Sequence, residues 1–221
     1  MAKLTKVSPS IIAIDYTSKE VLDETLKKLK EAKAELVHLD VMDGKFVKNK
    51  TFDHNFVEYV KNKTDFILDV HLMVENPELV IDDYLKAGAD ILTIHFEAVK
   101  DTKKLEQLLE KIKSQGVLAG VSIKIETLAT CLAPIIKKNL VDVVLVMSVK
   151  PGACGQEFNP QVLEKITYFK KFYPKLDIEV DGGINADNSK DLIKAGADIL
   201  VSGSYLFNSA NLQAAIKSLK K

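Results

Sequence analysis

Short apolar segments alternate with longer amphipathic segments along the whole chain, and the amphipathic segments are rich in Lys and Glu. The apolar segments are rich in Val, Ile and Leu, which is typical of buried strands, whereas the longer segments have helical spacing. Strands are predicted near residues 7–12, 36–41, 66–72, 90–95, 117–123, 142–147, 177–181 and 198–202. Helices are predicted between them, for example at 18–33, 77–87, 101–115, 159–172 and 185–195.

Eight strands, each followed by a helix, favour an α/β fold of the (β/α)8 TIM-barrel type. The 221 residues allow one substantial core but are few for two ordinary domains. No linker divides the chain, so we expect a single barrel domain over residues 1–221. A doubly wound open sheet has the same alternation of elements and is the alternative.

An internal repeat supports the barrel. The heptapeptide KAGADIL occurs at Lys86–Leu92 and again at Lys194–Leu200, with weaker copies at Glu31–Val37 and Val141–Val146. In each copy an acidic residue starts a predicted strand, namely Glu35, Asp90, Asp142 and Asp198. Five residues later stand Asp40, His95, Met147 and Gly203. These positions are at the carboxyl ends of strands, where such barrels hold their active sites.

Histidine and aspartate side chains gather at these strand ends. Side chains alternate along a strand, so His38, Asp40 and Met42 share one face of the second strand. Asp69, His71 and Met73 share one face of the third strand, and Asp181 ends the seventh. Imidazole and carboxylate together suit a divalent metal such as Zn²⁺, Fe²⁺, Co²⁺ or Mn²⁺.

The remaining two histidines, His54 and His95, are expected to have different roles. His95 is at an equivalent strand end, and we expect it to support the site rather than bind metal. His54 is in a polar segment and is expected to be exposed.

Three glycine-containing segments are candidates for contacting substrate. Asp181-Gly182-Gly183 and Val201-Ser202-Gly203-Ser204 end the last two predicted strands, after which TIM barrels customarily bind phosphate. Residues 150–156, after the sixth strand, have the Pro and Gly content of a lid. Met42, Met73 and Met147 could either fill the core or form an apolar wall around the reacting carbons.

Charge and composition narrow the classes of function. The chain has 31 basic and 31 acidic residues, so no excess positive charge would attract nucleic acid. All of the basic residues are Lys, so a phosphate would be held mainly by backbone N–H groups. No apolar run suits a membrane span or a signal peptide, and a cytoplasmic location is expected. Cys131 and Cys154 are expected to form no disulfide.

With these motifs in view, the chain resembles the ribulose-phosphate 3-epimerase family along almost its whole length. The matching segments are SPSI at Ser8–Ile11, HLDVMDGKFV at His38–Val47, DVHLMV at Asp69–Val74, VMSVKPG at Val146–Gly152, EVDGGI at Glu179–Ile184 and VSGSYLF at Val201–Phe207. The resemblance implies that one divalent metal, zinc in the first place, is held by His38, Asp40, His71 and Asp181. It also implies that Asp40 and Asp181 are the acid/base pair.

The resemblance further implies a set of substrate contacts. Those predicted to line the sugar or its phosphate are Ser10, Met42, Met73, Met147, Gly152, Gly155, Gly182, Gly183, Gly203 and Ser204. The family commonly associates into dimers or hexamers, so a homo-oligomer is expected.

The chain departs from the family pattern in four places. The lid reads PGACGQ instead of PGFGGQ, with Ala153 and Cys154 in place of Phe and Gly. Ile125 stands where the family has proline, and the family motif NxTFG ends in Asp53. Ile14 resembles a bulky residue of allulose-6-phosphate 3-epimerases and is a candidate for influencing which ketose fits. None of these changes affects the predicted metal ligands.

The implied activity is inversion of C3 in a ketose phosphate, with conversion of D-ribulose 5-phosphate to D-xylulose 5-phosphate as the leading reaction. D-allulose 6-phosphate is the alternative substrate. A Schiff-base aldolase would need a rim lysine such as Lys124 or Lys150. A decarboxylase related to the orotidylate enzymes would need DxKxxD, which is absent from Asp69–Val74. A catalytically silent sugar-phosphate-binding barrel is the alternative outside enzymes.

Overall fold

The computed structural model describes residues 4–99 and 101–220, in which eight parallel strands alternate with helices. The strands are β1 (Lys6–Pro9), β2 (Leu36–Met42), β3 (Ile67–Met73), β4 (Ile91–His95), β5 (Leu118–Ile123), β6 (Val143–Met147), β7 (Asp177–Asp181) and β8 (Ile199–Ser202). The helices are α1 (Lys19–Glu31), α2 (His54–Lys63), α3 (Ile81–Lys86), α4 (Thr102–Ser114), α5 (Ala133–Lys137), α6 (Val162–Phe172), α7 (Ser189–Ala195), α8 (Ser204–Phe207) and α9 (Leu212–Leu219). Over these two ranges, no helix has both the length and the apolar character needed to cross a membrane.

The strands form a nearly closed barrel. Each strand from β2 to β7 pairs in parallel with the next strand along the chain, and β8 pairs in parallel with β1. A parallel bridge between Ser10 and His38 then joins the end of β1 to β2. The TIM-barrel prediction is therefore confirmed. The doubly wound open sheet is wrong, because the strands follow chain order around the sheet and its two ends, β1 and β2, are joined to each other.

Several predicted element boundaries differ from the structure. The first strand ends at Pro9 rather than at residue 12, and Ile11–Ala13 form a 3-10 turn. A short apolar run fits a strand or a turn equally well, and here burial of Ile11 against the core favours the turn. The predicted helix 77–87 is divided into a 3-10 turn at Pro77–Leu79 and α3. The predicted helices 159–172 and 185–195 begin later, as α6 and α7.

The repeated heptapeptide builds the amino-terminal end of the barrel. The residue after each acidic residue of the repeat is buried inside the barrel, and these four apolar side chains pack together: Leu36, Ile91, Val143 and Ile199. They come from the four even-numbered strands, as expected for one layer of a TIM barrel. The layer closes the bottom of the barrel, away from the carboxyl ends of the strands.

Three of the four acidic residues of the repeat, those before β4, β6 and β8, join the start of their strand to the preceding odd strand and to the helix that leads into that odd strand. Asp198 accepts a hydrogen bond from the backbone N–H of Ile178 in β7 at 2.8 Å, and Lys170 of α6 lies 2.5 Å from the same carboxylate. Asp90 and Asp142 repeat this arrangement with the preceding strands β3 and β5. The repeated residues thus stabilise the amino-terminal end of the barrel, which lies opposite the candidate site.

Replacing Asp198 with Ala is expected to lower the free energy of unfolding by about 1–3 kcal/mol, because the backbone N–H and the lysine lose a buried acceptor. Urea denaturation measures this change, with an unchanged m-value. The matched control is Glu24→Ala in α1, whose carboxylate pairs with Lys28 at the exposed surface and should contribute about 0.5 kcal/mol or less. Equal stability losses in the two variants would contradict the structural role of the repeat.

Candidate active site and metal centre

Four metal-type side chains meet at the carboxyl end of the barrel. His38 and Asp40 come from β2, His71 from β3 and Asp181 from β7, and one ligand atom from each lies within 4.8 Å of the others. His38, Asp40 and His71 are buried, and Asp181 is half-buried. The convergence predicted from strand alternation is therefore observed. The two carboxylates, on β2 and β7, approach from opposite sides of the barrel.

Below this cluster a second group of polar side chains fills the barrel interior. The Nδ1 atom of His38 is 2.6 Å from Asp69 Oδ2, and Ser8 Oγ donates to the same oxygen at 3.0 Å. Glu179 Oε1 lies 3.6 Å from His38 Nδ1. Neither Ser8 nor Glu179 was predicted from the sequence as a site residue. Each stands two residues before a residue that lines the site, so strand alternation could have found both.

The cluster has the chemistry of a metal centre. His38 Nε2 is buried and has no hydrogen-bond partner within the described part of the chain. Asp40 Oδ1 lies 3.4 Å from this nitrogen and 3.3 Å from His71 Nδ1. Imidazole nitrogens and carboxylate oxygens thus surround one point, and Asp69 supports His38 from behind, as in many metal sites. These residues fit a divalent cation.

The two central aspartates have very different proton affinities. Burial favours neutral Asp40, but the positive charge of His38, 3.4 Å away, together with the contact of His71 outweighs it and holds the pKa of Asp40 well below its usual range. Burial, followed by the negative charge of Asp40, raises the pKa of Asp181 to about 7. The proton that the pair can hold near neutral pH therefore resides on Asp181 rather than on Asp40, and Asp181 is about half protonated at pH 7.

The two ligand histidines also differ. Burial disfavours the charged form of His38, but the carboxylates of Asp69 and Asp40 outweigh it and hold the pKa of His38 well above its ordinary value. For His71 burial is the larger effect, and it lowers the pKa despite the negative charge of Asp40 nearby. His38 consequently carries a proton that a metal would displace.

A cavity opens above the two aspartates. It is lined by every residue that the family resemblance assigns to the sugar or its phosphate: Ser10, Met42, Met73, Met147, Gly152, Gly155, Gly182, Gly183, Gly203 and Ser204. Ser10 Oγ also donates to Asp40 Oδ2 at 2.6 Å. From the segment after β1, Ile12 reaches the cavity. Ile14, predicted to influence the choice of ketose, packs against the core and lines a separate surface groove.

The loop after β6 covers one side of this cavity and is well anchored. Asn49 Nδ2 donates to the carbonyl of Gly152 at 2.7 Å, and Gln156 Nε2 donates to the carbonyls of Lys150 and Ala153. Gly183 has φ of +64°, and a Cβ there would lie 2.7 Å from backbone atoms at the end of the same loop. The predicted lid therefore packs directly on the Gly-Gly turn that follows β7.

The two remaining histidines occupy different environments. His95 is buried, and its Nε2 atom lies 2.9 Å from Nε2 of His71, so it contacts a candidate ligand without joining the four-residue cluster. His54 was expected to be exposed in a loop, but it is the first residue of α2, is half-buried and contacts the ring of Tyr84. The prediction for His54 was wrong because the polar segment is capped by Asp53 and begins a helix.

Metal affinity is expected to rise with pH, because a metal needs the hydrogen-free Nε2 of His38, whose pKa is raised. The slope should approach about tenfold per pH unit for one displaced proton. Calorimetric zinc titrations in two buffers of different ionisation enthalpy measure the released proton. His54→Gln is the matched control and should leave both the slope and the proton release unchanged. Affinity that does not depend on pH would contradict the assignment of His38.

Comparisons with known proteins agree with this geometry. The model of the ribulose-phosphate 3 epimerase family matches residues 6–207. Ribulose-phosphate 3-epimerase of Bacillus subtilis is 39% identical over 98% of this chain and 99% of its own length. The cytoplasmic isoform of Oryza sativa is 36% identical over 100% of this chain and 95% of its own length.

Among solved structures, 3-hexulose-6-phosphate synthase of Salmonella typhimurium superposes with a TM-score of 0.73 at 16% identity, covering 98% of this chain and 97% of its own, which shows the shared fold alone. The sequence matches show the family as well as the fold, because they extend over nearly the full length of the chain and of its relatives. The chain belongs to the ribulose-phosphate 3-epimerase family of isomerases.

Proposed function

We propose that this protein is a metal-dependent epimerase that inverts C3 of a ketose phosphate, interconverting D-ribulose 5-phosphate and D-xylulose 5-phosphate in the pentose phosphate pathway. The observation that carries the proposal is the pair Asp40 and Asp181. These two carboxylates share one cluster at the floor of the cavity, and the pKa of one is lowered while that of the other is raised. Membership of the epimerase family supports the same reaction.

The two aspartates divide the proton transfers between them. Asp40, ionised and held by Ser10, removes the C3 proton from one face and leaves a planar enediolate. Asp181, whose raised pKa of about 7 lets it carry a proton near neutral pH in part of the molecules, returns a proton to the opposite face and so inverts C3. In the reverse direction the two roles exchange. A divalent metal, zinc in the first place, held by His38, Asp40, His71 and Asp181 would stabilise the negative charge that develops on substrate oxygens.

The remaining cavity residues would hold the rest of the sugar phosphate. We place the phosphate against the turns after β7 and β8, where Gly182 and Gly183 have positive φ and Gly203 precedes α8. Backbone N–H groups at such turns bind phosphate without a guanidinium, which this chain lacks entirely. The three methionines at the cavity wall would pack against the carbon skeleton: Met42, Met73 and Met147.

Allulose 6-phosphate is the second candidate substrate, because the lid carries Ala153 and Cys154 in place of the family's usual residues and both line the cavity. A Schiff-base aldolase and a silent binding protein are less well supported. Lys150 is exposed, and Nζ of Lys124 lies over the ring of Phe46 at 4.3 Å, so neither lysine has the apolar surroundings of a Schiff-base nucleophile. A silent sugar-phosphate binder would have no need for the complete set of four metal-type residues.

We also propose a cytoplasmic homo-oligomer, a dimer or hexamer, whose subunits are single barrel domains over residues 1–221. The cytoplasmic isoform among the relatives supports the location, and family membership supports the assembly. Balanced charge supports a small-molecule substrate over nucleic acid.

Asp40→Asn and Asp181→Asn should each reduce the rate of epimerisation by at least about 10²-fold, because each removes one proton-transfer group. The rate is measured by coupled assay with zinc-loaded protein, after the metal content of each variant is determined. The control is Glu75→Gln, an exposed carboxylate near the same end of the barrel, which should retain normal turnover. Loss of less than about tenfold in either aspartate variant would contradict the two-aspartate mechanism.

A further inference from the structure

A line of four side chains runs outward from the candidate metal centre. Asp40 Oδ1 lies 3.3 Å from His71 Nδ1, His71 Nε2 lies 2.9 Å from His95 Nε2, and His95 Nδ1 lies 3.1 Å from Glu97 Oε2. Both imidazole rings are buried. The line therefore places two imidazoles between two carboxyl groups and makes three contacts.

The hydrogens in this line are too few for all three contacts. A neutral imidazole has one N–H donor and one acceptor nitrogen, so two neutral rings supply two hydrogens. The contact between His71 and His95 takes one of them, because two nitrogens at 2.9 Å need one hydrogen between them. The second hydrogen lies either beside Glu97 or beside Asp40, and the opposite end is left without one.

The surroundings of Glu97 determine at which end the second hydrogen lies. Its other oxygen, Oε1, accepts from the backbone N–H of Lys124 at 2.8 Å and from the hydroxyl of Thr127. An ionised carboxylate only accepts hydrogen bonds, and within the described part of the chain His95 Nδ1 is the one donor that reaches Oε2, at 3.1 Å. Asp40, by contrast, already accepts from Ser10 and lies farther from its imidazole, at 3.3 Å. Nδ1 of His95 therefore donates to Oε2. Nε2 of His95 is then an acceptor, and Nε2 of His71 donates to it. Nδ1 of His71 is left with a free lone pair, and this atom belongs to the candidate metal centre.

We propose that His95 and Glu97 are positioning residues that fix the tautomer of His71, so that Nδ1 of His71 presents its lone pair to a divalent metal. The inference rests on the proposed metal centre and extends it to two residues that touch neither metal nor sugar. The contact that lacks a hydrogen, between His71 Nδ1 and Asp40 Oδ1, is the longest of the three at 3.3 Å. A cation bound there would take the place of the missing hydrogen.

Neighbouring groups keep Glu97 in place. Lys165 of α6 donates from Nζ to the carbonyls of Lys124, Ile125 and Thr127, which holds the turn after β5 against Glu97. The ring of Phe46 packs on His95 with centroids 4.7 Å apart. This turn is the segment in which Ile125 replaces the family's proline, so side-chain contacts rather than a proline ring define its shape.

Glu97→Gln tests the proposal because glutamine has one accepting oxygen and one donating NH₂ group. The two donors from Lys124 and Thr127 would hold the oxygen, so the NH₂ group would face His95 and donate to Nδ1. The hydrogens along the line would then reverse, and Nδ1 of His71 would carry a hydrogen. Zinc and cobalt affinities, measured by chelator competition, should fall about 10–100-fold.

Thr127→Val is the matched control, because it removes a donor from the same carboxylate without reversing the line. Its metal affinity should stay close to that of the wild type, and circular dichroism confirms that both variants are folded. Equal affinity in Glu97→Gln and wild type would overturn the positioning role alone. Wild-type protein that binds neither metal would contradict the proposed metal centre itself.

A spectroscopic measurement tests the tautomers without any variant of the line's carboxylates. In ¹⁵N-histidine spectra of the zinc-loaded wild type, His71 should carry its hydrogen on Nε2 and His95 on Nδ1. The chain has four histidines, so the variants His54→Gln, His71→Gln and His95→Gln assign three of the signals and the fourth belongs to His38. A His95 ring with its hydrogen on Nε2 would overturn the proposal even if metal binds normally.

Discussion

His38 is an imidazole ring buried between two carboxylates, and the candidate site depends on this arrangement. Its Nδ1 atom contacts Asp69 and its Nε2 atom faces Asp40. Charged groups are costly to bury unless they are paired, so the protonated ring of His38 requires the ionised carboxylates of Asp69 and Asp40 beside it. That pattern keeps Asp40 ionised, while burial and then the negative charge of Asp40 favour the protonated form of Asp181. The difference between the two aspartates is thus a property of the barrel interior as a whole.

The two ends of the barrel have different roles, because one carries stabilising contacts and the other carries the candidate site. At the amino-terminal end, one apolar layer and the repeated Asp–Lys pairs join helices to strands. At the carboxyl end, the same even strands present His38, Asp40 and His95 together with small residues and methionine. In each copy the strand-end residue stands five positions after the acidic residue of the repeat. A sequence repeat that stabilises one end of the barrel therefore also sets which position lies at the other end.

Much of this arrangement could be predicted from the sequence. Strand alternation placed His38 and Asp40 on one face, and the repeat identified the carboxyl ends before any chemistry was considered. The path of the chain after β1 could not be predicted, because an apolar run such as 10–14 fits a strand as well as a turn. The family resemblance pointed to Ile14 as a specificity residue, whereas Ile12 is the isoleucine of this run that lines the cavity. Glu97 was also missed, since its role comes from contacts with the turn after β5 rather than from any local pattern.

The central claim is that this barrel exchanges the hydrogen at C3 of a ketose phosphate, and proton NMR in D₂O tests it most directly. Zinc-loaded protein is incubated with ribulose 5-phosphate and with allulose 6-phosphate in separate tubes. The account predicts that deuterium enters C3 as the epimer forms, faster with ribulose 5-phosphate. A protein that holds its metal but exchanges C3 of neither sugar would contradict the account.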